Sequence, residues 1–186
     1  MNYDVILIRY GELALKGKNR DQFEEALVRS VKSVLRSFFK VKVRRNYGRM
    51  YVELHGEDAY AVMERLKRVF GISSFSPTVQ VDPDIDTIKE KALEMIRQLQ
   101  PEPRTFRVVT RRADKRYPIP SMEVNRIVGT HILRALPAIK VDVHEPETIV
   151  NVEIRAEGTY LSCETISGPG GLPVGVSGKV LLLLSG

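Results

Sequence analysis

Lys16, Lys18 and Arg20 alternate in a glycine-bearing turn that leads from an apolar stretch into a helix start. Asn19 stands where that helix needs a cap. Cationic side chains beside the unpaired N–H groups of a helix N-terminus can hold phosphate oxygens. The same residues would also suit a plain solvated turn. A second concentration lies farther on, where Arg104, Arg107, Arg111, Arg112, Lys115 and Arg116 are opposed only by Asp114. Arginine forks grip phosphates bidentately. Tyr117, which follows them, is placed to stack on an unpaired base. The alternative there is a charged sheet edge that discourages aggregation. Arg45 and Arg49, around a β-turn, complete the candidate nucleic-acid surface.

Catalytic chemistry has less to build on. His55, His131 and His144 fall in different elements without paired spacing, and Cys163 sits inside a strand pattern. The carboxylates are scattered, and no His/Cys/Asp grouping has the spacing of a metal site. The expectation is therefore no catalytic residue and no metal ligand. Gly168 to Gly178 brings five glycines and two prolines into residues 167–178. Such a loop allows a backbone to approach a ligand, or simply links two domains.

Composition points the same way. The 186 residues carry a net charge of +6 and a pI near 9.5. The excess is uneven: residues 1–50 hold 12 Lys/Arg against 5 Asp/Glu, whereas residues 51–100 hold 6 against 9. Localised basic excess suits a polyanionic partner. With one cysteine no internal disulfide forms, and a reducing, cytoplasmic setting is expected. No run reaches the roughly 20 apolar residues of a bilayer span, and the first residues lack a signal-peptide layout. No membrane partner is expected.

Two domains have to carry these residues. Tyr3–Tyr10 reads as a central strand. Phe23, Leu27, Val31, Val34, Leu35 and Phe38 recur at helical spacing. Two alternating strands follow around Asn46-Tyr47-Gly48. A second helix carries Ala59, Val62, Leu66, Val69 and Phe70, and Gly71 ends it. A strand at Ile72–Val81 follows, in which Pro77 marks an edge or break. Strand–helix–strand–strand–helix–strand is the ferredoxin-like order, assigned to residues 1–76. Residues 77–166 predict a second α/β domain: a helix from Asp84 to Leu99, a strand at Thr105–Thr110, a helix capped by Ser121, and strands at Lys140–Val143, Thr148–Ala156 and Thr159–Thr165. Glu157-Gly158 is the hairpin turn between the last two. The fold class is thus mixed α/β (α+β). Residues 167–186 read as a Gly/Pro-rich linker and a final apolar strand, Leu181 to Leu184, ending in Ser185-Gly186. Such a strand entering a tight turn predicts the start of a nucleotide-binding domain, and the chain reads as the front part of a longer protein.

Together these motifs resemble one family. Arg9-Tyr10-Gly11-Glu12 with Lys16-Gly17-Lys18-Asn19-Arg20 is similar to the opening of the tRNA 4-thiouridine sulfurtransferases, the ThiI family. The basic strand and loop through Pro118 and Ser121-Met122-Glu123 resembles the core of a THUMP RNA-binding domain. Gly170-Gly171-Leu172-Pro173-Val174-Gly175 resembles that family's connection to its catalytic domain, and Val180 to Gly186 resembles the opening of its ATP-pyrophosphatase loop. The resemblance implies an enzyme family that adenylates a tRNA uridine with ATP and Mg2+ and delivers sulfur received from a cysteine desulfurase, with a link to thiamine thiazole. It implies a tRNA acceptor stem and 3′ CCA end as partner, and a homodimer. Ser185 and Gly186 match only the beginning of the nucleotide loop. Cys163 does not match the family's catalytic cysteine, so the chain is expected to be inactive by itself. A THUMP-bearing methyltransferase or pseudouridine synthase, and a non-enzymatic protein-interaction module, are the alternative readings.

Overall fold

A computed structural model describes residues 1–11, 19–46 and 48–176. The chain divides into two compact units, one formed by residues 6–75 with the segment from Ile166 onward, the other by residues 1–5 and 76–165. The first five residues thus belong with the second unit.

The first unit begins with β1 (Val5–Tyr10), in which Ile6, Leu7 and Ile8 are wholly buried. Then come α1 (Asn19–Val34), β2 (Lys42–Asn46), β3 (Arg49–Glu53), α2 (Ala59–Leu66) and the first half of β4 (Ile72–Val81). The strands lie in the order β2-β3-β1-β4. This is the ferredoxin-like arrangement, in which the first strand is flanked by the third and fourth. The interleaving explains why β1 is so apolar: an inner strand must bury its side chains and pair on both edges. β2 and β3 are antiparallel, with Arg45 opposite Met50 and Asn46 opposite Arg49. Phe23, Ala26, Leu27 and Val31 of α1 and Val62, Met63 and Leu66 of α2 are buried at helical spacing. The Asp58 carboxylate caps α2 by accepting from the Ala61 N–H at 2.7 Å. Phe70 departs from the expected stripe and is half exposed, because α2 has already ended at Leu66.

The second unit adds α3 (Ile85–Arg97), β5 (Thr105–Arg112), α4 (Ser121–Ala135), β6 (Lys140–Val141), β7 (Thr148–Arg155) and β8 (Gly158–Ser162). Its strands run in the order β4-β8-β7-β5-β6. β5 is parallel to both β6 and β7, a pairing that α4 makes possible as the crossover. The β7–β8 hairpin pairs Arg155 with Gly158, so its two turn residues are Ala156 and Glu157, one position earlier than the sequence suggests. Ile88, Ala92 and Ile96 of α3 and Val124, Val128 and Ile132 of α4 share a core with Phe106, Val150, Val152, Ile154 and Leu161. Asp84 caps α3 through the Thr87 N–H at 2.9 Å. At α4 the expected cap moves by one residue: Pro120 takes the cap position without a side-chain bond, and Ser121 is the first helical residue. Pro77 falls where β4 changes pairing partner, so its missing N–H interrupts no ladder there.

Ile166–Ser167 forms β9, antiparallel to β4 at Phe75 and Ser74. The segment beyond it, read from sequence as a linker or loop, is fastened along the start of β4. Gly168 N–H donates to Ser73 O at 2.9 Å, Gly170 N–H to Ile72 O at 2.8 Å, and Gly71 N–H to Gly170 O at 2.7 Å. Only glycine fits at position 168, where a Cβ would stand 2.3 Å from the Ile72 carbonyl oxygen. Pro173 is buried against Gly71.

Candidate nucleic-acid interface

In the first unit, two of the expected basic residues meet on one carboxylate. Arg20 and Glu24 are one helical turn apart on α1, and Arg20 Nε donates to Glu24 Oε1 at 2.9 Å. Arg45, arriving from β2, donates Nη1 to Glu24 Oε2 at 3.0 Å. The Tyr10 hydroxyl at the end of β1 also bonds to Glu24. Burial, followed by the Glu24 charge and hydrogen bond, pushes the Tyr10 phenol up to about 12, so it stays protonated and donating. Its ring packs 6.2 Å from that of Phe23. The Glu24 side chain is only 11% exposed, whereas those of Arg20 and Arg45 are 42% and 39% exposed. A buried acid thus holds two half-exposed guanidiniums.

Arg49 is a correction. It points inward from β3, 4% exposed, and donates Nη1 to Gly48 O at 2.9 Å. Met50, Tyr51 and Val52 after it are buried too, so both faces of β3 are covered along this stretch. Lys16, Lys18 and the Asn19 side chain lie outside the described residues, as do Ser185 and Gly186.

In the second unit β5 alternates: Phe106 is buried, while Arg111 is exposed with Val109 beside it on the same face. The start of the loop after β5 is tied to β7, because Ala113 and Asp114 N–H both reach the Ile154 carbonyl, at 2.9 and 3.2 Å. Three of the expected cationic ligands spend a guanidinium bond on their own chain. Arg107 Nη1 donates to Val143 O at 2.9 Å. Arg112 Nη1 donates to Tyr117 O at 2.8 Å. Arg116 holds Asp114 through Nε at 3.0 Å and Nη2 at 2.8 Å. These bonds, with the Arg116 backbone N–H, hold the Asp114 carboxyl down to about 2. Arg111, Lys115 and Arg116 remain exposed on the loop surface.

Tyr117 is the other correction. It is 9% exposed, packs with the α3 and α4 core, and its hydroxyl is buried without a hydrogen-bond partner. Burial, with the nearby Asp84 charge, raises its phenol above the usual range. It anchors the loop from beneath instead of presenting a ring to a base. Glu24 is the one member of this cluster that the residue types alone do not single out. Its i,i+4 spacing from Arg20 was the available sign, whereas Arg45 joins it only through the β2 pairing.

The remaining polar chemistry is sparse. Among the described residues no group of three His, Cys, Asp or Glu could hold a metal. Burial pushes the Cys163 thiol up to about 12, far from a reactive thiolate. No helix among the described residues is long and apolar enough to cross a membrane.

Comparison with known proteins agrees with this layout. Residues 5–76 match the ThiI ferredoxin-like domain and residues 83–164 the THUMP domain. The chain is 89% identical, over its whole length, to a probable tRNA sulfurtransferase of Brevibacillus brevis, and 48% identical to one of Geobacillus kaustophilus. It spans about half of each, 47% and 46%. The crystal structure of a 4-thiouridine synthetase–RNA complex with bound ATP superimposes with a TM-score of 0.82 at 36% identity, over 99% of this chain and 47% of that one. The chain therefore carries a ThiI ferredoxin-like domain followed by a THUMP domain.

Proposed function

We propose that this chain is the tRNA-recognition part of an ATP-dependent tRNA uridine sulfurtransferase that makes 4-thiouridine. The observation that carries the reading is the pairing of exposed cationic groups with the family's RNA-binding module. Arg20 and Arg45 stand on the ferredoxin-like unit, and Arg111, Lys115 and Arg116 on the THUMP unit. The 89% identity to a probable tRNA sulfurtransferase favours sulfur transfer over the methyltransferase or pseudouridine synthase alternative. The RNA in the related 4-thiouridine synthetase complex favours a nucleic acid over an acidic protein as partner.

In this reading the basic side chains meet the phosphates of an acceptor stem and its 3′ CCA end. A-form RNA hides its base edges in a deep, narrow major groove, so shape and backbone carry recognition. ATP and Mg2+ belong to the remaining half of the whole protein, entered through Ser185 and Gly186. A cysteine desulfurase supplies the sulfur, the whole protein acts as a homodimer in the cytoplasm, and the same sulfur route serves thiamine thiazole.

The test is titration of the 186-residue chain with a tRNA and with the same tRNA lacking CCA, across a salt series. Tight binding that drops on removing CCA supports acceptor-end recognition. Equal, weak and purely salt-controlled binding to both would overturn it, since counterion release alone carries no preference for the end.

A further inference from the structure

The geometry points to Glu24 as a positioning residue: it sets the Arg20 and Arg45 guanidiniums side by side so that the pair grips one phosphate of a bound RNA backbone. The inference rests on the RNA-binding reading above and assigns a role within that surface to an acid that itself would repel RNA.

Three observations carry it. First, Glu24 is buried, and its two oxygens are divided between the two arginines, Oε1 to Arg20 at 2.9 Å and Oε2 to Arg45 at 3.0 Å. Both side chains remain about two-fifths exposed. Second, the anchors come from three elements: α1 supplies Arg20 and Glu24, β2 supplies Arg45, and β1 supplies Tyr10, whose hydroxyl bonds to the same carboxylate. A carboxylate bonded from three sides cannot rotate freely, so the guanidiniums inherit its orientation. Third, in the contacts described here two arginines share one acid, beside a Tyr10 that stays neutral. Freely rotating arginines lose rotamer entropy when they bind; held ones have already lost it.

Electrostatics and positioning predict opposite signs, which makes the test decisive. Removing a negative charge beside a phosphate site should tighten RNA binding if Glu24 is only a structural acid. If it positions the arginines, Glu24→Gln weakens binding despite the gain in net charge, by about tenfold for one misdirected charge-assisted contact. The measurement is tRNA affinity for the 186-residue chain carrying E24Q, R20A/R45A, and all three changes, with folding followed by circular dichroism. Weaker binding for E24Q that vanishes in the R20A/R45A background supports the role. Equal or tighter binding for E24Q, with R20A/R45A impaired, overturns it while leaving the RNA-binding surface intact. Unimpaired R20A/R45A removes both this inference and this face from the RNA reading. If E24Q does not fold, R20K/R45K decides, because it keeps the charge but loses the planar fork. Weakened binding by the lysine pair supports positioning, and wild-type binding overturns it.

Discussion

The Arg116 guanidinium turns back onto Asp114, two residues earlier in the chain, and meets both oxygens of its carboxylate at 2.8–3.2 Å. The THUMP loop therefore neutralises one of its own cations. Asp114→Asn releases that charge to solvent. It should tighten tRNA binding at low salt, and the slope of log affinity against log salt should steepen by about 0.7–0.9, one phosphate's worth. Filter binding at four salt concentrations reads both quantities. An unchanged slope would mean that Arg116 faces away from RNA.

The same pair sets a pH dependence. The Asp114 carboxyl is held at about 2, below its ordinary 3.8. A depressed folded value means that the pair's stabilisation is complete above the unfolded pKa and is lost as pH falls through about 2. Side-chain carboxyl NMR should place the Asp114 midpoint near 2 in the native chain. In Arg116→Ala the midpoint should return toward about 3.9.

Arg111 and Arg112 are neighbours with different work. Arg111 is exposed, whereas Arg112 is half-buried and tied to the Tyr117 carbonyl. Arg111→Ala with Lys115→Ala should weaken tRNA binding and flatten the salt slope without shifting the melting temperature. Arg112→Ala should cost stability, about 1–3 kcal/mol for a lost hydrogen bond from a charged group. Thermal melts beside binding curves separate the two, and an equal loss of stability in both variants would contradict the assignment.

Tyr117→Phe removes a hydroxyl that is buried with no partner. Its burial carries a desolvation cost of about 1–3 kcal/mol, so the variant should melt at the same temperature or higher. Tyr117→Ala should instead cost about 3–5 kcal/mol, as for other large aromatic truncations in a core. A loss of tRNA affinity in well-folded Tyr117→Phe would restore the base-stacking role that burial argues against.

Gly168→Ala should loosen the strap on β4. The added Cβ would lie 2.3 Å from Ile72 O, a backbone atom that cannot move without disturbing the strand. Overpacking of this kind costs about 1–3 kcal/mol. Proteinase K should then cut within residues 168–176 at low enzyme concentration, with the second unit left intact. Wild-type resistance would show that the strap tolerates the shift.

What sequence alone determined was local and periodic. The buried stripe of α1, the apolar β1 and the turns at Gly48 and Gly71 follow from spacing, because side-chain period is set by backbone geometry within a few residues. The ferredoxin-like order of the first unit followed from element order. The resemblance to the ThiI family followed from motifs whose glycines and basic residues stand in a fixed sequence. Tertiary structure decided which polar groups are available. Arg49 and Tyr117 have the composition of RNA ligands, yet burial takes both away, and burial depends on what packs over a residue from elsewhere in the chain. Arg45 meets Glu24 across 21 positions, a contact that requires β2 to be paired beside α1. The strap carries no hydrophobic period because backbone N–H groups and glycines hold it, and these interactions leave no side-chain pattern to read.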